Sequence, residues 1–358
     1  MARSNPIRPC SPGAPRGAAP GRSVGLLLAG LFLVGGLGSA QATKYAAEFL
    51  RIGAGARALG MGAAVTSHVD DASAIYWNPA GMVHVPHAEI MLMHAEQFAE
   101  LADYDFAGYV LSLNETGALG IGLVRFAVSD IRITKDAYID ENGNHQYDWG
   151  EPIRPELFCY DSDTEYAFLF SFARAVRPEF SYGISLKLIR QDLPGHSSFG
   201  VGVDLGVMWR PRPALRLGAR LSDATATQLY WDTGTRETVT PSLFLGGSYT
   251  QLFPGMRTEV SLAVDLALTF DGRETASSLA FGTPSLAADL PAENFFWGDL
   301  RTGIEAWYRG LFAARAGYQE SGATAGAGFL LRGFGIDYAF VPHEALGNSH
   351  RLSASYSF

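Results

Sequence analysis

The last nine residues, His350 to Phe358, read HRLSASYSF. Leu352, Ala354, Tyr356 and Phe358 alternate with Arg351, Ser353, Ser355 and Ser357, the period-two signature of a strand with one apolar and one polar face. A soluble sheet would present Lys, Glu and Thr to water. Here the polar face is small, and the apolar face ends on aromatics. Small polar groups suit the narrow, wet inside of a barrel, and an apolar face tipped with aromatics suits lipid and its interface.

Working back from that strand, the same alternation recurs. Phe334, Ile336, Tyr338 and Phe340 oppose Gly335 and Asp337. Val260, Leu262, Val264, Leu266, Leu268 and Phe270 oppose Ser261, Asp265 and Thr269. Phe199, Val201, Val203, Leu205, Val207 and Trp209 oppose Gly200, Gly202, Asp204 and Gly206. Tyr166, Phe168, Phe170 and Phe172 oppose Ala167, Ser171 and Ala173. Several of these runs reach the ten or so residues needed to cross a bilayer at a tilt. The pattern predicts about fourteen strands: 87–96, 104–113, 117–128, 164–174, 180–191, 199–210, 214–221, 242–250, 258–270, 301–308, 311–319, 323–331, 333–341 and 350–358. Their connections are short at one end, while 129–163, 222–241 and 271–300 are long and fall together at the other. Short periplasmic turns and long extracellular loops are the plan of a bacterial outer-membrane barrel. The fold class expected is all-β, an antiparallel transmembrane β-barrel over 87–358. An aromatic last residue also resembles the terminal strand of outer-membrane proteins.

Composition agrees. Charged residues are only 18% of the chain and its formal net charge is −9, which argues against a nucleic-acid partner. Residues 1–42 read as a signal peptide: Arg3, Arg8, Arg16 and Arg22 precede an apolar run, Val24 to Leu37, and Ala40-Gln41-Ala42 offers a small-residue cleavage site. Once it is removed, Cys159 is the one cysteine, which excludes an internal disulfide and a cysteine-based metal site.

One stretch does not alternate. Phe49 to Gly81 reads FLRIGAGARALGMGAAVTSHVDDASAIYWNPAG. Asp70 or Asp71 can cap a short helix over Ala72 to Trp77, and Asn78-Pro79-Ala80-Gly81 stops it, because a residue before proline avoids the helical region. Residues 43–86 are therefore expected to fold as a plug inside the barrel, with Asp70, Asp71, Asn78, Pro79 and Gly81 as its motif. Lumenal Lys187, Asp204, Arg216, Arg220, Asp265, Arg315 and Asp337 are expected to pair with one another and anchor it, since enclosed charges seek partners.

This N-terminal stretch, with Ala46-Ala47-Glu48-Phe49-Leu50-Arg51-Ile52-Gly53 ahead of it, resembles the N-terminal signature of PorV/PorQ-type outer-membrane proteins. The resemblance implies a fourteen-stranded barrel similar to FadL-type fatty-acid transporters, with the segment as a hatch in the lumen. It also implies a role in type IX-like secretion or surface attachment of exported proteins, with secreted proteins or secretion machinery as partners. The alternative is FadL-like passage of hydrophobic small molecules. In either case outer-membrane lipid surrounds the wall. Trp149, Tyr230, Trp231, Phe295, Phe296 and Trp297 are candidate contacts in the loops.

Chemistry is sparse. No Gly-x-Ser-x-Gly elbow occurs, the N-terminal glycines lack a strand–GxGxxG–helix setting, and no catalytic residue is expected. One motif points to a metal. Asp140, Asn142, Asn144, Gln146 (through its carbonyl), Asp148 and Glu151 have the spacing of an EF-hand-type Ca2+ loop, with His145 at the sixth position where glycine is usual.

Overall fold

The computed structural model describes residues 46–97, 101–134, 137–141, 143–144, 147–269, 297–342 and 347–358. The signal-peptide expectation, plug residues 43–45 and most of 271–300 lie outside the described residues. The wall is built from β1 (Ala88–Gln97), β2 (Ala102–Asn114), β3 (Gly117–Ile133), β4 (Cys159–Arg177), β5 (Phe180–Leu193), β6 (His196–Arg212), β7 (Leu215–Ser222), β8 (Thr227–Trp231), β9 (Arg236–Val239), β10 (Ser242–Phe253), β11 (Thr258–Thr269), β12 (Trp297–Tyr308), β13 (Phe312–Gln319), β14 (Gly322–Leu331), β15 (Phe334–Val341) and β16 (Ser349–Ser357). Every pairing is antiparallel, and β1 pairs with β16 from Glu89↔Ser357 to Glu96↔His350, which closes the sheet on itself. Closure pairs each stave on both sides; among the described residues the short β9, bonded to β8, keeps one open side.

Sixteen hydrogen-bonded segments make fourteen staves. β7 stops at Ser222, and β8 takes over on β6 a few residues higher, from Val201↔Gln228 to Ser198↔Trp231. β9 pairs with β8 just as β10 pairs with β7. The β8–β9 hairpin therefore prolongs two staves beyond a break, inside what the sequence presents as the loop 222–241. The loop expected at 129–163 is also shorter. β3 and β4 stay paired up to Ile133↔Cys159, past a register shift between Val128 and Ile131. Cys159, which opens β4, is disulfide-bonded rather than free. The single-thiol expectation rests on removal of residues 1–42 and so does not hold for the unprocessed chain; the bonding partner lies outside the described residues.

The two faces divide as the alternation requires. Phe168, Phe170, Ile184, Leu186, Val201, Leu205, Leu262, Val264, Ile336 and Leu352 are exposed on the outer wall, whereas Ser171, Lys187, Asp204, Asp265, Arg351 and Ser353 are buried inside. At the short-turn end the outer wall carries exposed Phe180, Trp209, Tyr308, Phe312, Phe334, Tyr356 and Phe358, an aromatic girdle where acyl chains would meet headgroups. No helix among the described residues is long and apolar enough to cross a membrane.

The core lies inside the barrel. Leu59, Met61, Val65, Ile75, Trp77 and Met82 from residues 46–86 cluster with Met91, Tyr104, Phe106, Val124 and Leu169 from the wall. Within that segment α1 (Ala56–Gly60) and α2 (Ala74–Trp77) are single turns, and Pro79–His84 forms a 3-10 turn. The helix expected over 72–77 begins two residues later. The Asp71 carboxylate accepts the Ser73 N–H at 2.9 Å and holds Ala72 and Ser73 in a side-chain-closed turn ahead of the helix.

Candidate functional site: the plug and its seat

The plug is held first by its own exposed backbone. A chain made of single turns leaves many N–H and C=O groups without helical partners, and burial makes each of them costly unless it is paired. The wall supplies the partners. Ser353 Oγ accepts the Ala56 N–H at 2.8 Å. Thr324 Oγ1 accepts the Gly62 N–H at 3.0 Å and donates to the Gly60 carbonyl at 3.2 Å. Asp265 accepts the Thr66 N–H at 2.7 Å, and Glu89 accepts the Ala72 N–H at 2.8 Å. The small residues of the inner face are thus either donors and acceptors for the plug or space for it.

Asn78 is the pivot of the motif and is fully buried. Its backbone is extended, which ends α2, while its side-chain oxygen accepts the Ala80 N–H at 3.1 Å and starts the next turn, with Pro79 in the first position. Its amide nitrogen donates to the Thr66 carbonyl at 2.7 Å and to the Val207 carbonyl of the wall at 3.2 Å. Asn78 therefore caps one turn, stops another and ties both to β6. Close approach explains the glycines opposite. A Cβ on Gly183 would lie 2.5 Å from the Pro79 carbonyl carbon, and one on Gly206 would strike the Asn78 side-chain oxygen. Gly81 is buried in the same way, with no room for a Cβ against the Val69 carbonyl at 2.5 Å.

Charge makes the second attachment. Arg57 of α1 reaches Glu305 of β12 through Nε at 2.9 Å and Nη2 at 2.8 Å, a two-pronged pairing, while its Nη1 reaches Asp70 at 2.6 Å and Asp71 at 3.2 Å. Glu305 also accepts from Arg315 at 2.6 Å, and Arg315 donates onward to Asp337 at 2.7 Å. Arg216 of β7 reaches the other oxygen of Asp70 at 3.1 Å. His68 Nε2 lies 3.2 Å from Glu305. Burial alone would raise the Asp70 carboxyl, but Arg57 and Arg216 overcome it and hold that group well below the usual carboxylate range.

The expected site residues therefore meet at the plug–wall boundary. Asp70 is an ion-pair residue between plug and wall, Asp71 shapes the turn before α2, and Asn78, Pro79 and Gly81 form the docking element. The lumenal charges are paired or bonded to the plug. Lys187 lies 2.7 Å from Asp204 and 2.5 Å from Asp223, and Arg220 lies 3.1 Å from Asp204. Arg57 and Glu305, the centre of the network, escape sequence reasoning. Glu305 stands at an inward position of β12, but nothing in the alternation says which distant residue it will meet.

On the long-loop side the plug leaves space. One cavity of about 290 Å³ lies over Tyr76 and Trp77, with Phe244 and the Lys187–Asp204–Asp223 cluster in its walls. A wider one of about 660 Å³ is lined by Phe49, Ile52, Phe126 and Val341 together with Gln97 and Arg351. Arg351 is 4% exposed, and among the described residues it meets only Gln97, at 3.4 Å. Both cavities are amphipathic pockets whose floor is the plug.

The calcium expectation falls partly outside the described residues, where Asn142 and Gln146 lie. Of the rest, Asp140 accepts the Gly143 N–H at 2.6 Å, Asn144 donates to Asp148 at 2.8 Å, and the two oxygens of Glu151 accept the Glu141 and Asp148 N–H groups at 3.1 and 3.0 Å. Backbone donors thus hold the turn closed, and among the described residues no cluster of three or more His, Cys, Asp or Glu side chains is placed to hold a metal.

A family profile described as an uncharacterised protein family, UPF0164, matches residues 36–140, a stretch that contains the whole plug and its motif. No curated protein matches the chain. Among solved structures, the CymD monoaromatic hydrocarbon channel is similar at a TM-score of 0.52 and 15% identity, over 86% of this chain and 98% of that one. The P. putida toluene transporter TodX is similar at 0.50 and 14% identity, over 86% and 99%. The fold is that of these outer-membrane barrels.

Proposed function

We propose that this chain is an outer-membrane conduit for hydrophobic small molecules, with the plug as its gate. The observation that carries the reading is the pair of part-apolar cavities whose floor is the plug. A solute entering from the long-loop side comes to rest on Tyr76, Trp77, Phe49 and Ile52 and passes further only when the plug yields. The same fold serves as a channel for monoaromatic hydrocarbons in the similar solved structure. A non-enzymatic role fits, since the buried charges at the seat are engaged with one another and with the plug. The test is a reversible lock. Ala56→Cys and Ser353→Cys place two thiols where the Ser353 hydroxyl now meets the Ala56 N–H. Uptake of a labelled hydrophobic solute by cells expressing the pair is expected to fall on oxidation and return on reduction. Uptake indifferent to the lock removes the proposal.

The PorV/PorQ-like reading, a surface factor that binds secreted proteins, is favoured by one feature. Trp149, on the loop between β3 and β4, is 99% exposed, more than a side chain of that size needs to be without a partner. Under this reading, an exported protein co-purifies with the barrel and is lost with Trp149→Ala. Recovery of lipid or small hydrophobic solute alone favours the conduit.

A further inference from the structure

The outer surface at the short-turn end has a charge pattern the rest of the chain does not share. The chain is acidic, at −9 overall, yet Arg174, Arg177, Arg210, Arg212, Arg257, Arg309 and Arg332 stand at or beside the short turns against Glu115, Glu179 and Glu259. Among the described residues none of these arginines is within ion-pair distance of a carboxylate. Inside the barrel Arg57, Arg216, Arg220, Arg301 and Arg315 each have a carboxylate partner, whereas Arg351 is bonded to Gln97. Among the described residues, the rim is a set of cations without a carboxylate counter-ion.

Beside the densest part of the rim the apolar wall is indented. β7 is only eight residues long, and its pairing with β6 shifts register between Trp209 and Arg212. Ala219, which shares the outer face of β7 with Leu217, leaves the outer surface low there, while Gly218 faces the plug at Thr66. The result is a groove of about 820 Å³ lined by Val176, Phe180, Val207, Trp209 and Leu217, with Arg177 and Glu179 at its turn end. Phe180 and Trp209 are directly opposed in the β5–β6 ladder, so the groove runs up into the aromatic girdle. Arg210 lies against the same turn. Its N–H donates to the Glu179 carbonyl at 2.7 Å, and Nη2 lies 3.5 Å from the Pro178 carbonyl.

We propose that this groove binds an anionic phospholipid of the leaflet on the short-turn side. One acyl chain lies along Phe180, Val207, Trp209 and Leu217, and the phosphate sits among Arg177, Arg210 and Arg212. The apolar part continues the lipid-facing band, so a chain placed there gives up no contact with the bilayer. The charged part meets the headgroup at the depth where the girdle ends. Guanidinium suits phosphate because its donors form a planar fork.

The experiment is native mass spectrometry of the full chain, released from a mild detergent containing equal amounts of phosphatidylglycerol and phosphatidylcholine with the same acyl chains. Phosphatidylglycerol adducts are expected to exceed phosphatidylcholine adducts about fivefold. Arg177→Gln with Arg212→Gln should bring the ratio close to one. Arg309→Gln, on the β12–β13 turn away from the groove, should leave it unchanged, and Trp209→Ala should weaken both lipids alike. A heat-shifted gel band for each variant confirms a folded barrel. Equal adducts in the parent chain, or a preference that survives loss of both arginines, overturns the proposal. So does full displacement by inorganic phosphate, which would make the rim a free-phosphate site, or a protein cross-linked at the rim in cells in place of lipid.

Discussion

Arg57 shows how a residue that looks ordinary in sequence can dominate a seat. Its guanidinium spans two carboxylates of the plug and one of the wall, and Glu305 is itself 1% exposed. Removing one member of such a cluster leaves a buried charge with fewer partners, which costs about 3–5 kcal/mol, whereas removing both members restores part of that. A double-mutant cycle on Arg57→Ala and Glu305→Ala is therefore expected to show strong positive coupling in heat-modification temperature; additive losses would mean that the pair contributes no coupling. Gly317 tests fit rather than charge. A Cβ there would strike the Gly62 nitrogen and the Met61 carbonyl carbon, and Gly62 cannot retreat because it already sits at φ +62 and donates to Thr324. Gly317→Val should unseat the plug and raise single-channel conductance, whereas Gly298→Val, where no neighbour comes closer than 3.5 Å, should not. At this scale the sequence was partly legible. Asn78, Pro79 and Gly81 announce themselves because proline and glycine constrain the backbone locally. The contact of Arg57 with Glu305 joins residues 248 apart, and no local rule reaches that far.

At the scale of the element, the plug is a set of single turns that owes its order to the wall, since helices this short are not stable alone. Its attachment should therefore follow the charge on a few groups. His84, at the foot of the last turn, is held below the ordinary value of 6.5 by burial and then by nearby Arg216. A depressed histidine favours the folded state above its unfolded value and loses that contribution as pH falls below it. Asp70, depressed by Arg57 and Arg216, keeps its contribution above the ordinary 3.8 and loses it only in stronger acid. Amide exchange of peptides covering 56–84, corrected for intrinsic rate, should rise in two steps, one below about pH 6.5 and one below about pH 4. His84→Gln should abolish the first step alone, and its persistence in that variant would exonerate the histidine. The turn at 140–151 is the other element with a testable habit. We propose that it takes calcium weakly, since Asp140, Asn144, Asp148 and Glu151 are already linked in one chain of hydrogen bonds. Titration of the barrel should release or absorb heat at about millimolar calcium and fall silent with Glu151→Gln; silence in the parent chain ends the idea. Strands were legible wherever a long face met lipid. β8 and β9 were not, because five and four residues give too few alternations to stand out from a loop.

For the whole molecule, the wall and the plug answer different physical demands, and this decides what happens when they are separated. Hydrogen bonding closes the wall without the plug: β1 meets β16 over eight residue pairs, and none of the described plug residues contributes a strand. Burial does the opposite. The core is shared, so Met91, Tyr104, Phe106 and Leu169 lose their apolar neighbours if residues 46–86 are removed, and Glu305 and Asp265 lose bonded partners. A barrel lacking 46–86 should therefore still close, because backbone pairing in lipid is obligatory and lumenal water can solvate the exposed charges. It should also unfold at a lower temperature than the parent, because the lost apolar burial stabilises by about 25 cal/mol per Å² and nothing replaces it. Without its plug the lumen is open from end to end, and planar-bilayer recordings should show steady ohmic current where the full chain shows little. A deletion variant that folds and stays silent would mean that something other than 46–86 blocks the lumen. Equal unfolding temperatures would mean that the plug is a passenger in a barrel already stable without it.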